Sequence, residues 1–295
     1  MNFTTLKHVS LKSWSEDQIK EKLNDWRAII AKLKQDKFYP DNTYIKLYDE
    51  LNANMDKFEA AKQIMPRLRA EFPELKCVQT SFPDEKIRPY YNVWCPLMSY
   101  FADAENLKLF RSIQNTPGHE LWWYLADGPS HPMPNLFLDY PVFDCRIIMT
   151  MSYMYKVKGV IYWSINREWT ENMGEKRWPE VPWKPYITSV ASQRTIYKNG
   201  MGNMIYPGPD GRIYPSLRLE NLRDGIEDYL YLNLLEQKLT ALKRKGSGRK
   251  ELIAAAEKLL TVPPEVATAV DSYSSDPENL LNYRRKLAEV LEQMD

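Results

Sequence analysis

The sequence predicts an α/β fold in which parallel strands are covered by helices. Three observations point there. Short β-branched and aromatic runs alternate with amphipathic stretches from residue 15 to residue 165. The connections between them are short, as strand–helix alternation in a parallel sheet requires. Each strand-like run also carries a polar or aromatic cluster just past its C-terminal end: Asp49-Glu50, Ser81, Trp94, Asp127 and Asn166-Arg167-Glu168-Trp169. Barrel enzymes place their chemistry at that end of their strands, so the expected architecture is of the (β/α)8 TIM-barrel type.

The elements follow in order. Residues 15–34 predict a helix, with Ser15 as N-cap and Glu16 and Asp17 in its first turn. Ile19, Leu23, Trp26, Ile29, Ile30 and Leu33 fall on one face. Pro40-Asp41-Asn42 marks a loop, and TYIKLY at 43–48 reads as a strand running into Asp49-Glu50. A helix is expected over 55–71, strands over 76–81 and 92–97, a helix over 103–114 and a strand over 120–126. Residues 141–157 read as helix, and GVIYWSI at 159–165 as a strong buried strand. A long loop follows to about residue 213, then a helix over 216–242. KRKGSGRK at 243–250 reads as a flexible basic linker, with helices at 251–260 and 277–294 closing the chain. The expected division is a barrel domain over 1–235 and a helical extension over 236–295.

Composition narrows the function. Hydrophobic residues are 44% and aromatics 13% of 295, enough for a packed core rather than disorder. Forty basic and 39 acidic residues give a net charge of +1, so no global field points to nucleic acid or an anionic membrane. Cys77, Cys95 and Cys145 are too scattered for a disulfide framework or zinc cluster, and read as small buried residues. His8, His119 and His131 lack metal-ligand spacing, so neither metal nor cofactor is expected. No apolar run is long enough to span a membrane. MNFTTLKHVSLKSW lacks a signal peptide's apolar core. A genuine start there implies a cytoplasmic protein, whereas a longer chain leaves a secreted or periplasmic location open. Nine Trp and nineteen Tyr serve either as core or as rings on which sugar C–H faces stack.

Asp49-Glu50 is the chemical centre of the sequence. An acidic pair at a strand end either stabilises a helix N-terminus or reaches the mouth of a barrel as two working carboxylates. Glycoside hydrolysis divides labour between two such groups. One protonates the leaving oxygen and needs a raised pKa; the other stabilises developing positive charge. Where the sugar carries a 2-acetamido group, its carbonyl oxygen can attack, and the second carboxylate then orients the acetamido nitrogen.

YIKLYDE at 44–50, VWCPLMSYF at 93–101, ELWWYLADGPSHPMPNLFLDYPVFDCRI at 120–147, GVIYWSINREW at 159–169 and NMIYPGPDGRIYPSLRLENLRDGIEDYLYL at 203–232 together resemble the catalytic domain of glycoside hydrolase family 123. The resemblance implies a retaining β-N-acetylgalactosaminidase working by substrate assistance. Glu50 would be the general acid/base, and Asp49 would stabilise the acetamido group as an oxazolinium-like intermediate forms. Trp94, Tyr124, Asn135, Asp139, Trp163, Asn166 and Trp169 match polar or aromatic positions around that family's pocket. Trp163 and Trp169 are either sugar platform or core. Asn135 and Asn166 either donate to the sugar or cap loops. Asp139 and Arg146 are a candidate structural ion pair. Arg218, Glu220, Arg223, Asp224, Glu227 and Asp228 read as helix-surface pairs and caps. The family's usual Pro after Asp-Glu is Leu51, and its usual Asp in the GMGN stretch is Asn203.

The family's Asp-Glu pair normally ends the fourth barrel strand, yet this strand begins at residue 43. The resemblance therefore implies an incomplete barrel, about the last five βα units plus C-terminal helices. An N-terminal segment or a partner chain would complete it. A non-catalytic carbohydrate-binding or scaffold protein on a degenerate barrel is the competing expectation.

Overall fold

The computed structural model describes residues 2–3, 13–37, 43–166, 187–189, 195–208, 211–246 and 248–294. Contacts divide the chain into two compact units, Met1–Leu97 with Glu105–Tyr124, and Met98–Ala104 with Leu125–Asp295.

The first unit holds β1 (Asn2–Phe3), β2 (Thr43–Ile45), β3 (Lys76–Gln79), β4 (Val93–Trp94) and β5 (Glu120–Leu125). Successive strands are neighbours and all pair in parallel. The register sets Ile45 beside Cys77, Gln79 beside Trp94 and Trp94 beside Leu121. Parallel neighbours need crossovers: α1 (Glu16–Gln35) lies between β1 and β2, α2 (Met55–Glu71) between β2 and β3 and α3 (Ala104–Gln114) between β4 and β5, while β3 reaches β4 through a loop holding the 3-10 turn Arg88–Tyr90. The result is an α/β fold with a curled parallel five-strand half-barrel sheet.

Local chemistry explains the boundaries. Ser15 closes a capping box on α1: its hydroxyl accepts from the Gln18 N–H, and the Gln18 side chain accepts from the Ser15 N–H. Ile19, Leu23, Trp26 and Ile30 are the buried face of that helix. Asn54 caps α2 through the Lys57 N–H. Strands buried on both faces read as continuous apolar runs, and Cys77, Val78, Val93, Trp94, Leu121, Trp122 and Trp123 are all buried.

The second unit holds α4 (Asp144–Met154), β6 (Gly159–Tyr162), the hairpin β7 (Ile187–Ser189) with β8 (Thr195–Tyr197), and the hairpin β9 (Ile205–Pro207) with β10 (Ile213–Pro215). It continues with α5 (Leu217–Arg244), α6 (Lys250–Leu259), the hairpin β11 (Ala267–Ala269) with β12 (Ser272–Tyr273), and α7 (Pro277–Gln293). Helices α4 and α5 pack so closely at Gly225 that an added Cβ would lie 2.5 Å from the Arg146 carbonyl oxygen. Glycine is required there for helix contact, not for a turn.

Several expectations are corrected. The strand before the acidic pair ends at Ile45 rather than running to Tyr48, although Leu47 and Tyr48 are buried too. The expected buried strand at 159–165 stops at Tyr162 and is half-buried, with Trp163 40% and Ile165 48% exposed. The Ile165 carbonyl instead accepts from the Met204 N–H, which turns the chain out of the strand. Two hairpins occupy parts of the expected long loop. The basic linker shrinks because α5 runs on to Arg244, where Lys243 and Arg244 suit its C-terminal dipole and Lys243 pairs with Glu257.

Arg146 does not pair with Asp139. Its guanidinium Nε lies 2.7 Å from Asp228, which also receives Arg284 at 2.9 Å. Arg218 and Asp228 were expected on the helix surface but are buried. The Arg218 guanidinium donates to the carbonyls of Leu136, Gly200 and Asn203, and to Tyr206. Glu220 and Arg223 do form the expected surface pair, at 2.7 Å. The three cysteines are buried and free, as expected.

Candidate active site

In the first unit, Asp49 and Glu50 follow β2 at the C-terminal end of the parallel strands. The two neighbours sit in different surroundings. Asp49 is half-buried, and its Oδ1 lies 2.6 Å from the Lys46 ammonium, a side chain only 12% exposed. The Thr80 hydroxyl donates to the same oxygen. Glu50 is exposed, and its Oε1 accepts from the Tyr124 hydroxyl at 2.8 Å.

The backbone makes this divergence possible. Glu50 has φ +46° and ψ +54°, the left-handed region, as N-cap residue of the 3-10 turn Leu51–Ala53. A non-glycine residue there is uncommon and costs about 1–2 kcal/mol, so surrounding structure must hold it. Part of that hold is visible: the Glu50 N–H points to Thr80 Oγ1 at 3.4 Å. Asn52 donates to the Phe82 carbonyl at 3.2 Å, fixing the turn beyond it.

Burial is the largest cause that pushes the Tyr124 phenol far up, followed by its bond to Glu50 and the charges of Glu50 and Asp49. It therefore stays a protonated donor to the carboxylate across the physiological range. Burial likewise pushes up the Cys95 thiol, against the Lys46 charge and with the Asp49 charge, so Cys95 remains a neutral neighbour of the pair.

The remaining residues singled out in the sequence are distributed as follows. Trp94 is fully buried in the first unit, its ring 5.7 Å from that of Tyr91. In the second unit, Asn135 is buried and donates to the Pro129 carbonyl at 2.8 Å while accepting from the Leu136 N–H. Asp139 accepts from the backbone and side-chain amides of Asn199, at 2.9 and 2.7 Å. Trp163 is partly exposed, and Asn166 forms an antiparallel bridge with Asn203. Trp169 lies outside the described residues.

Sequence reasoning missed Lys46 and Thr80. Lys46 stands three residues before Asp49 inside YIKLYDE, so its spacing was a usable signal. Thr80 precedes the strand-end Ser81, but no local pattern connects it to residue 49. Reasoning also missed Asp144, the first residue of α4, buried and bonded to Tyr273 at 3.0 Å. Among the described residues, no group of three or more His, Cys, Asp or Glu could hold a metal ion, and no helix is long and apolar enough to cross a membrane.

Comparison with known proteins gives one family. The sequence model described as Glycoside hydrolase 123, catalytic domain, matches residues 4–235. The curated proteins contain no match to this chain.

Proposed function

We propose, from the premise that the chain belongs to the glycoside hydrolase 123 catalytic-domain family, that this glycoside hydrolase cleaves β-linked N-acetylhexosamines, N-acetylgalactosamine foremost, by substrate assistance. The observation that carries the reading is the unequal setting of two adjacent carboxylates: Asp49 held by Lys46 and Thr80, Glu50 exposed beside Tyr124. Carboxylates in different environments suit different roles.

In this reading Glu50 donates its proton to the glycosidic oxygen as the C1–O bond breaks. The acetamido carbonyl oxygen attacks C1 from the opposite face, and Asp49 accepts the acetamido N–H and offsets the charge of the oxazolinium ring. Glu50, now a carboxylate, takes a proton from water. That water attacks C1, opens the ring and leaves the anomer with retained configuration. Lys46 and Thr80 hold the Asp49 carboxylate in place to accept the acetamido N–H. Residues 1–235 carry this chemistry, in a barrel of which the half-sheet is a part.

The test is release of 4-nitrophenol from its β-N-acetylgalactosaminide, with Glu50→Gln and Asp49→Asn alongside. We expect turnover by the unaltered chain and a loss of at least about 100-fold in each variant, in Glu50→Gln through lost acid–base help and in Asp49→Asn through lost charge stabilisation. Undiminished turnover by Glu50→Gln removes Glu50 from the role.

A further inference from the structure

Thr80 stands just past β3 and is 2% exposed, yet its hydroxyl meets both halves of the acidic pair. It donates to Asp49 Oδ1 and lies 3.4 Å from the Glu50 backbone nitrogen, which donates to it. A hydroxyl has one donor and two acceptor sites, so both bonds can exist together. Their direction is forced. An N–H can only donate, so the Thr80 oxygen must accept from Glu50, and its one proton is directed to Asp49. The Lys46 ammonium on the same Asp49 oxygen completes a line: ammonium, carboxylate, hydroxyl, amide.

We propose that Thr80 is a positioning residue for this pair, one hydroxyl that fixes the Asp49 carboxylate and holds the left-handed backbone of Glu50. This rests on the reading of Asp49 and Glu50 given above. The physical reason is geometric. Asp49 and Glu50 are sequence neighbours, and in extended backbone their side chains point to opposite faces. The left-handed turn at Glu50 changes that relation, and Thr80 grips the chain on both sides of the peptide bond joining them. Another strand thus supplies the rigidity that a two-residue sequence cannot supply for itself. Misplacement of a reacting group by about 1 Å can lower rates about 100-fold.

Thr80→Val keeps the shape and removes the hydroxyl; Thr80→Ser keeps the hydroxyl. We measure turnover of the 4-nitrophenyl β-N-acetylgalactosaminide and binding of a thiazoline mimic of the cyclic intermediate. Thr80→Val is expected to lower kcat about 30- to 100-fold, with KM changed less than about threefold, and to weaken thiazoline binding about tenfold. Thr80→Ser is expected to restore both to within about threefold. In an Asp49→Ala background, which removes the acceptor, the Thr80→Val effect on thiazoline binding should vanish, which a general packing defect would not produce. If Thr80→Val does not fold, Thr80→Cys, of similar size and weak as a donor, takes its place.

Wild-type kinetics in Thr80→Val, failure of Ser to rescue, or an effect that persists at full size without Asp49 each overturns the positioning role. If the unaltered chain neither turns over the substrate nor binds the thiazoline, the functional reading itself fails, and this role falls with it.

Discussion

The Tyr124 hydroxyl donates to Glu50 Oε1 at 2.8 Å, joining the end of β5 to the turn after β2 across 74 residues of sequence. A hydrogen bond to a charged group contributes about 1.5–3 kcal/mol. Tyr124→Phe frees the Glu50 side chain from this anchor, and the resulting misplacement should lower turnover about tenfold with folding intact. Because the phenol is held well above its ordinary value, it does not titrate in the working range. Steady-state assays of wild type and Tyr124→Phe, with thermal unfolding alongside, measure both turnover and folding.

Glu50 sits at φ +46°, so its backbone is strained for any residue with a Cβ. Both Glu50→Gly and Glu50→Ala remove the carboxylate, but only glycine relieves the strain. The glycine variant should be more stable than the alanine variant by about 1 kcal/mol in urea unfolding, although both lose turnover. Equal stabilities would mean that the left-handed backbone is not retained in solution.

Burial pushes the Asp144 carboxyl up to about 6, against the Tyr273 bond, the His131 charge and the Asn135 backbone. Its folded value then lies above the ordinary value of 3.8, so the folded chain binds the proton more tightly. The contribution of this group to stability falls as pH rises from about 4 to about 6 and remains lost above that, by about 2–3 kcal/mol. Asp144→Asn should show a stability relative to wild type that grows over that interval. The Tyr273 bond favours the charged form, so Tyr273→Phe should destabilise more at pH 8 than at pH 4. Thermal unfolding at several pH values measures both.

Gly225 lets α5 lie against Arg146 of α4, and Asp228 one turn on holds Arg146 and Arg284. Gly225→Ala forces backbone apart where no flexible side chain can yield, and should destabilise by about 1–3 kcal/mol. Asp228→Ala leaves two arginines without their shared buried carboxylate and should cost about 3–5 kcal/mol. Denaturant unfolding ranks them; an Asp228→Ala loss below that of Gly225→Ala would show that the arginines find other partners.

Much of the architecture was legible because its signals are local. Helical periodicity and the Ser15 cap marked α1, apolar β-branched runs marked the parallel strands, and Asp49-Glu50 stood out within YIKLYDE. The block from residue 203 to 232 carried the family, since residue identities in order need no coordinates. What remained hidden depended on partners distant in sequence. Arg218 looked like one more charge on a helix, yet it is buried because three backbone carbonyls from earlier loops converge on it. Arg146 chose Asp228 over Asp139 because helix packing brings α5 against α4.

By itself, then, the sequence determined the α/β class, the family and the adjacency of two acids after a strand, all of which are properties of residue type and short-range order. Tertiary structure alone decided how those two acids differ. Lys46 lies within local reach, but Thr80 comes from the next strand and Tyr124 from β5, and only parallel pairing of distant segments brings them to one turn. The periodicity of a strand records which face a side chain takes, and carries no information about which other strand's hydroxyl will meet it.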